Sequence, residues 1–168
     1  MITPIYQIRE AKTPDKEAIV VLWSDLARLH QTLDSRFIFA PASEKKYMRH
    51  AVEMIRSRDA KVLVAESLEN RAIVGYLMGE LQSRSPIALP GTYGFISEVC
   101  VHPDWRRLGI GQSLFAKSCE WFVSRKAQAV QLYVAEANED AQAFWQNLGL
   151  TPFLHLFHFD LIGKIEEG

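Results

Sequence analysis

The sequence predicts a single α/β domain of the α+β kind, spanning residues 1–168, with helices on both faces of a mixed, mostly antiparallel central sheet. Three observations lead there. A length of 168 residues suits one hydrophobic core and leaves too little chain for two. The apolar residues fall into an order of strand, two helices, three strands, then strand and helix in alternation, with no internal repeat. Within that order two neighbouring apolar strands are separated by a short polar turn, which makes an antiparallel hairpin.

Residues 6–10 form the first strand. Thr13-Pro14-Asp15 then supplies an N-cap, a proline at the first helical position and an early acidic residue, so a helix starts there. Ile19, Leu22, Trp23 and Leu26 recur at helical spacing and give it a buried face ending near His30. Residues 31–42 contain two aromatics, a proline and no period, and read as a loop. Ser43 caps a second helix that turns Tyr47, Ala51, Met54 and Ile55 inward. Residues 61–66 and 72–81 are the hairpin strands, joined across Leu68-Glu69-Asn70-Arg71. Two prolines and a glycine make 84–91 a connection, because neither belongs in a paired central strand. A strand runs from about Thr92 to Val101 and stops at His102-Pro103. A helix from near Gly109 to about Arg125 turns Ile110, Leu114, Phe115, Ser118 and either Trp121 or Phe122 to the core. Residues 130–134 are the next strand. Asn138 or Asp140 opens a last helix through Phe144, Trp145 and Leu148, Gly149 closes it as a C-cap, and a final strand lies within 151–162.

Composition narrows function by exclusion. The net charge of −1 gives no broad attraction for nucleic acid or an anionic membrane surface, so any anion must be held locally. No apolar run approaches the roughly 18 residues of a spanning helix, and Met1-Ile2-Thr3-Pro4 has neither region of a signal peptide, so a cytoplasmic address is expected. Cys100 and Cys119 are too sparse for a disulfide scaffold and lack metal-ligand spacing; both read as reduced structural thiols. His155 and His158 fall on opposite faces of the expected last strand, and no metal is assigned.

The informative segment is Ile96-Ser97-Glu98-Val99-Cys100-Val101-His102-Pro103 running into Arg106-Arg107-Leu108-Gly109-Ile110-Gly111. Strand, glycine turn and helix make an anion site, because the first amides of a helix have no intrahelical partner and sit at the positive end of its dipole. Amides at Gly109, Ile110, Gly111 and Gln112 can hold a phosphate. Gly109 and Gly111 allow unusual backbone angles and a close approach, and Arg106 and Arg107 add positive charge.

Here the sequence resembles the GNAT superfamily, whose acyl-CoA-binding turn has Arg or Gln, two residues, Gly, one residue, then Gly or Ala. Arg106, Gly109 and Gly111 match it. Glu98, His102-Pro103, Asn138, Ala141, Phe144 and Leu148-Gly149-Leu150 also fall where the family keeps similar residues, so the resemblance covers roughly the second half of the chain. It implies a fourth and fifth strand that splay apart, with backbone groups of Val99, Cys100 and Val101 toward the pantetheine arm of acetyl-CoA or another acyl-CoA, and the turn from Arg106 to Gln112 on the pyrophosphate. The amide near Val99 would face the thioester oxygen.

The implied reaction is direct attack of a primary amine on the thioester. An amine with a pKa of about 10.4 is charged at pH 7, and making its neutral form costs roughly 4 to 5 kcal/mol, so a base is useful. Glu98 is the candidate: strand alternation sets it with Ile96 and Cys100, opposite Phe95, Ser97, Val99 and Val101. Its plain alternative is a salt-bridged strand glutamate. Where many relatives carry a tyrosine that protonates the departing thiolate, this chain has Trp145, and indole cannot do that; Tyr133 is a replacement or else a packing residue. Asn138 either holds the pantetheine arm or caps the last helix, and Phe144 borders the cofactor or belongs to the core. Phe37 and Tyr93, with Asp34, Arg36 and Phe39, frame an acceptor pocket or serve as loop contacts. The acidic Asp25, Asp34 and Glu44 alternate with Arg28, Arg36, Lys45 and Lys46, so no sign of charge selects between a small amine and a peptide amine. The alternative function is a catalytically silent acyl-CoA sensor, supported by Trp145. Homodimers are common in the family, and the aromatic stretch 153–159 is either core strand or contact surface.

Overall fold

In the computed structural model, which describes residues 5–88 and 91–159, the first of two compact units comprises Met1–Asn138 and the second Glu139–Gly168. The first unit holds a five-stranded sheet in chain order: β1 (Tyr6–Glu10), β2 (Ala60–Ser67), β3 (Ile73–Ser83), β4 (Thr92–Val101) and β5 (Val130–Leu132). The first three pairings are antiparallel and β4–β5 is parallel. A parallel pair needs a crossover, which α3 (Ile110–Ser124) provides.

The two sheet faces are covered by different helices. Helices α1 (Lys16–Leu33) and α2 (Ser43–Arg56) pack Ile19, Leu22, Trp23, Tyr47 and Ala51 against Val62, Val64, Tyr76, Met78 and Cys100. On the other face α3 buries Ile110, Leu114, Ser118 and Phe122. Its Phe122 ring comes so close to β4 that a Cβ on Gly94 would lie 2.5 Å from it, so the strand needs a glycine there. The helical periods in the sequence therefore point to the faces that are buried. Of Trp121 and Phe122, Phe122 is the fully buried one.

Some boundaries differ from the sequence reading. Thr13 is not the N-cap of α1: Thr13–Asp15 is a short 3-10 turn, and the Asp15 carboxylate accepts the Lys12 amide at 2.7 Å. The N-cap of α2 is Ala42, in a left-handed conformation, and Ser43 is the first helical residue. Helix α1 runs a turn further, to Leu33, before Asp34 becomes extended. Strand β5 ends at Leu132, two residues short of the expected 134.

The largest difference lies in β4. Met78 pairs with Glu98 but Gly79 pairs with Ile96, so Ser97 is an extra residue, a β-bulge whose Oγ donates to the Met78 carbonyl at 3.2 Å. A one-residue insertion reverses the alternation beyond it. Gly94, and with it Ile96, faces α3, whereas Glu98 and Cys100 face α1 and α2. Glu98 is thus not on the face of Ile96; it shares its face with Cys100, Phe95 and Tyr93, and Val99 and Val101 turn toward α3.

The second unit contains α4 (Glu139–Asn147). It ends as the sequence predicts: Gly149 has φ 90°, and the amides of Leu148, Gly149 and Leu150 bond back to Phe144, Gln146 and Trp145. The expected last strand is absent over 151–159, which has no regular secondary structure and exposes Phe153, Leu154, Leu156, Phe157 and Phe159; residues 160–162 of that expectation lie outside the described residues. With no ladder there, the expectation that His155 and His158 occupy opposite strand faces does not apply.

Candidate active site

The bulge sits where the sheet opens. Pairing between β4 and β5 covers Gly94–Val130, Phe95–Gln131 and Ile96–Leu132 and then stops, so β4 continues from Ser97 to Val101 without β5 beside it. The opening contains Val99, Cys100 and Val101, and Glu98 stands at its apex.

Glu98 is held from two other elements. Tyr47 of α2 and Tyr76 of β3 both donate to its Oε2, Tyr76 at 3.1 Å, and the two phenol oxygens are 3.2 Å apart. Tyr47 is fixed by a ring stack: Trp23 lies parallel to it at 4.3 Å, and Phe39 meets Trp23 edge-on at 5.5 Å. Burial pushes the Glu98 carboxyl above its ordinary value; the two tyrosine hydrogen bonds and His50 pull it back without cancelling the rise. Both phenols are pushed well up, first by burial and then by the facing carboxylate, so they remain protonated donors. Glu98 forms no ion pair among the described residues, which removes the salt-bridged alternative. A half-buried carboxylate with a raised pKa can take a proton from an amine.

At the end of β4 the chain turns through a 3-10 segment, Pro103–Trp105, into α3. Arg107 (φ 64°) and Gly109 (φ 78°) are both left-handed. Gly109 is the N-cap, α3 has no side-chain cap, and its first intrahelical bond is from Ser113 to Gly109, so the amides of Ile110, Gly111 and Gln112 precede the ladder. Such a turn can hold a pyrophosphate. Gly111 has no unusual angle; it lies within the helix, and only Gly109 needs one. The exposed Arg106 reaches back, its Nε donating to the Val101 carbonyl at 3.1 Å, which ties the turn to the strand and uses an acceptor expected to face the pantetheine arm. Leu108 is half exposed.

The remaining expected residues are dispersed. Tyr133 follows β5, is 78% exposed, and meets Phe95 edge-on at 5.3 Å. The Tyr93 hydroxyl donates to Gln82 at 2.7 Å, with the Arg84 guanidinium over its ring. Phe37 packs on His30 at 4.9 Å, and Asp34 accepts from Arg36. Asn138 directly precedes α4 and donates its amide to Ala135. In the second unit Phe144 meets a buried Trp145 at 4.8 Å. Cys100 donates to the Leu22 carbonyl at 3.3 Å, and burial pushes its thiol up to about 12, so it is an inert core thiol. The sequence reading took Tyr47 as core alone and passed over Tyr76. The available signal was that a buried phenol needs a hydrogen-bond partner.

The sequence model of the acetyltransferase (GNAT) family matches residues 23–150. The chain belongs to the GNAT family. No curated protein matches it. Solved structures share its fold. A mutant of the BH1408 protein from Bacillus halodurans, 24% identical with a TM-score of 0.82, covers 92% of this chain and 99% of its own. The aminoglycoside N-acetyltransferase AAC(6')-Iy in complex with CoA is 14% identical, with a TM-score of 0.73 and coverage of 92% and 93%. A transcriptional regulator from Bacillus halodurans C-125 is 23% identical, with a TM-score of 0.72 and coverage of 93% and 99%. The five-stranded mixed sheet flanked by helices is the GNAT fold. Among the described residues no helix is long and apolar enough to cross a membrane, and no group of three or more His, Cys, Asp or Glu is placed to hold a metal ion.

Proposed function

We propose that this GNAT protein transfers an acetyl group from acetyl-CoA to a primary amine, with Glu98 as the base. One observation carries the reading: a carboxylate with a raised pKa, free of any ion pair among the described residues, stands where β4 and β5 part, near the end of the strand that leads to a glycine turn with uncapped helix amides. Acetyl-CoA supplies an activated thioester carbonyl. The amides of Gly109, Ile110, Gly111 and Gln112, with Leu108 and the charges of Arg106 and Arg107, take its pyrophosphate. The backbone of Val99, Cys100 and Val101 takes the pantetheine arm, which requires Arg106 to yield the Val101 carbonyl. Asn138 adds to that arm's surroundings. Glu98 removes the amine's proton, directly or through one water, and Tyr133 is the candidate donor to the departing thiolate. A thiol resembling cysteine, with a pKa of about 8.5, leaves without strong acid assistance, so Trp145 at the usual tyrosine position is compatible with turnover.

The acceptor in this reading is a small-molecule amine, in keeping with the aminoglycoside acetyltransferase that shares the fold. It approaches on the α1–α2 face, the face of Glu98, Tyr93 and Phe95, with Phe37 at its margin. The family match runs from 23 to 150, across the boundary of the two units, and supports their acting as one domain. Two free cysteines suit a cytoplasmic setting.

The test is thiol release from acetyl-CoA with a panel of polyamines, aminoglycosides, amino acids and short peptides. Release with one amine class, reduced about 10²- to 10⁴-fold in kcat by Glu98→Gln, is the expected result. Acetyl-CoA binding without release by any amine would replace the transferase by an acyl-CoA sensor, the reading favoured by Trp145; no binding at all would end both.

A further inference from the structure

We propose that Tyr47 of α2 and Tyr76 of β3 are paired positioning residues for this reaction, holding Glu98 by Oε2 so that Oε1 is the atom that accepts the amine's proton. The proposal rests on Glu98 being the base and adds how the base is aimed.

The geometry is asymmetric. Both phenols converge on one carboxylate oxygen, and no bond among the described residues involves the other. Oε1 is also not sealed, because among the described residues no side-chain oxygen or nitrogen is both buried and without a partner. Counting protons shows what this does. A phenol has one proton to give. With Glu98 ionised, both are directed at Oε2. When Oε1 takes a proton, Oε2 becomes the carbonyl oxygen of a neutral acid and still accepts both bonds. The network is the same before and after transfer, so no donor has to swing during the reaction, which is the condition for preorganised catalysis. A carboxylate held by a lysine or arginine would instead lose its partner's attraction on protonation.

The holders come from separate elements and are rigid. Tyr76 is 0% exposed in β3, opposite Cys100. Tyr47 is clamped by the Trp23 stack and, behind it, Phe39. The bulge at Ser97 swings Glu98 to their side of the sheet. The titratable groups facing Glu98 are Tyr47 and His50 from α2, Tyr76 from β3 and Cys100 from its own strand; Asp25 of α1 and Arg106 act on Cys100. The two tyrosines are the ones that bond to it and lower its pKa by doing so.

The experiment compares wild type, Tyr47→Phe, Tyr76→Phe, the double variant and a protein carrying 3-fluorotyrosine at 47, with Glu98→Gln as reference. Two readouts are taken: the Glu98 titration by side-chain 13C NMR, assigned by its loss in Glu98→Gln, and kcat and KM for acetyl-CoA against pH. Each Phe variant should move the Glu98 midpoint and the acidic limb of kcat to higher pH. It should lower kcat by about tenfold, the equivalent of one pKa unit of lost interaction, and leave KM for acetyl-CoA within about twofold. The more acidic fluorophenol, a stronger donor that leaves packing intact, should move the limb to lower pH. If midpoint and limb stay in place in the Phe and fluorotyrosine proteins, the tyrosines only pack and the proposal is overturned with the base reading intact. If Glu98→Gln keeps full kcat, the base reading fails and the proposal with it.

Discussion

Glu98 carries opposite consequences for activity and for stability. Its folded-state pKa is raised, so ionisation weakens the folded state: the cost appears as pH rises past the unfolded value of about 4.3 and is complete above the folded value. Glutamine keeps an acceptor for Tyr47 and Tyr76 without the charge. Glu98→Gln should therefore raise Tm at pH 7 to 8 while removing activity, and the gain should shrink toward pH 4; a thermal melt series across that range checks it. Tyr133 makes the opposite kind of claim. Its side chain is exposed and its leaving group needs little help, so Tyr133→Phe should lower kcat less than tenfold and leave Tm unchanged. At Gly109 the constraint is backbone conformation: with φ 78° and a Cβ meeting only the Tyr6 hydroxyl at an ordinary 3.7 Å, Gly109→Ala should cost about 1 to 2 kcal/mol by denaturant titration without a packing defect.

At the scale of elements, the contact between β4 and α3 fixes one face of β4, and the bulge beside it sets the face that Glu98 takes. Gly94→Ala would put a methyl 2.5 Å from the Phe122 ring, so it should destabilise by about 1 to 3 kcal/mol, and Phe122→Leu should restore part of that loss; paired unfolding curves give the coupling. The glycine turn and its helix were legible in the sequence because a helix start is local, a matter of Gly109 and the helical period after it. The bulge was not. Ser97 looks like any strand residue, and nothing within β4 shows that its partner strand has one residue fewer. As a result, strand alternation assigned Glu98 the right neighbour in Cys100 and the wrong one in Ile96. Capping failed by two residues at Thr13 and by one at Ser43 for a related reason, since Asp15 and the left-handed Ala42 serve those ends through bonds or angles that residue preferences do not distinguish.

Across the first unit, a charge network fastens the edge of the sheet. Arg9 reaches Asp15 at 2.7 Å and Glu66 at 2.6 Å, and Arg71 and Gln7 also reach Glu66. Burial pushes the Glu66 and Asp15 carboxyls up, but their hydrogen bonds and the arginine charges outweigh it, and both end below their ordinary values. Groups with depressed pKa values add stability above the unfolded values, about 4.3 for Glu and 3.9 for Asp, and lose it as pH falls through the folded ones. Stability should therefore decline below about pH 4, and Glu66→Gln should flatten that decline while lowering Tm at pH 7, measured by melts in a pH series.

By itself the sequence determined what is local and periodic: the number and order of the elements through α4, the inward faces of α1, α2 and α3, the C-cap at Gly149, the glycine turn before α3, and through them the family. These follow from hydrogen-bonding needs and from side-chain periods of 3.6 and 2, which operate over a few residues. Only the tertiary structure decided the register shift at Ser97, the point where β5 leaves β4, and the meeting of Tyr47, Tyr76 and Glu98 from a helix and two strands. Those depend on which residues lie opposite one another across 22 and 51 positions of chain, a relation that no local pattern encodes.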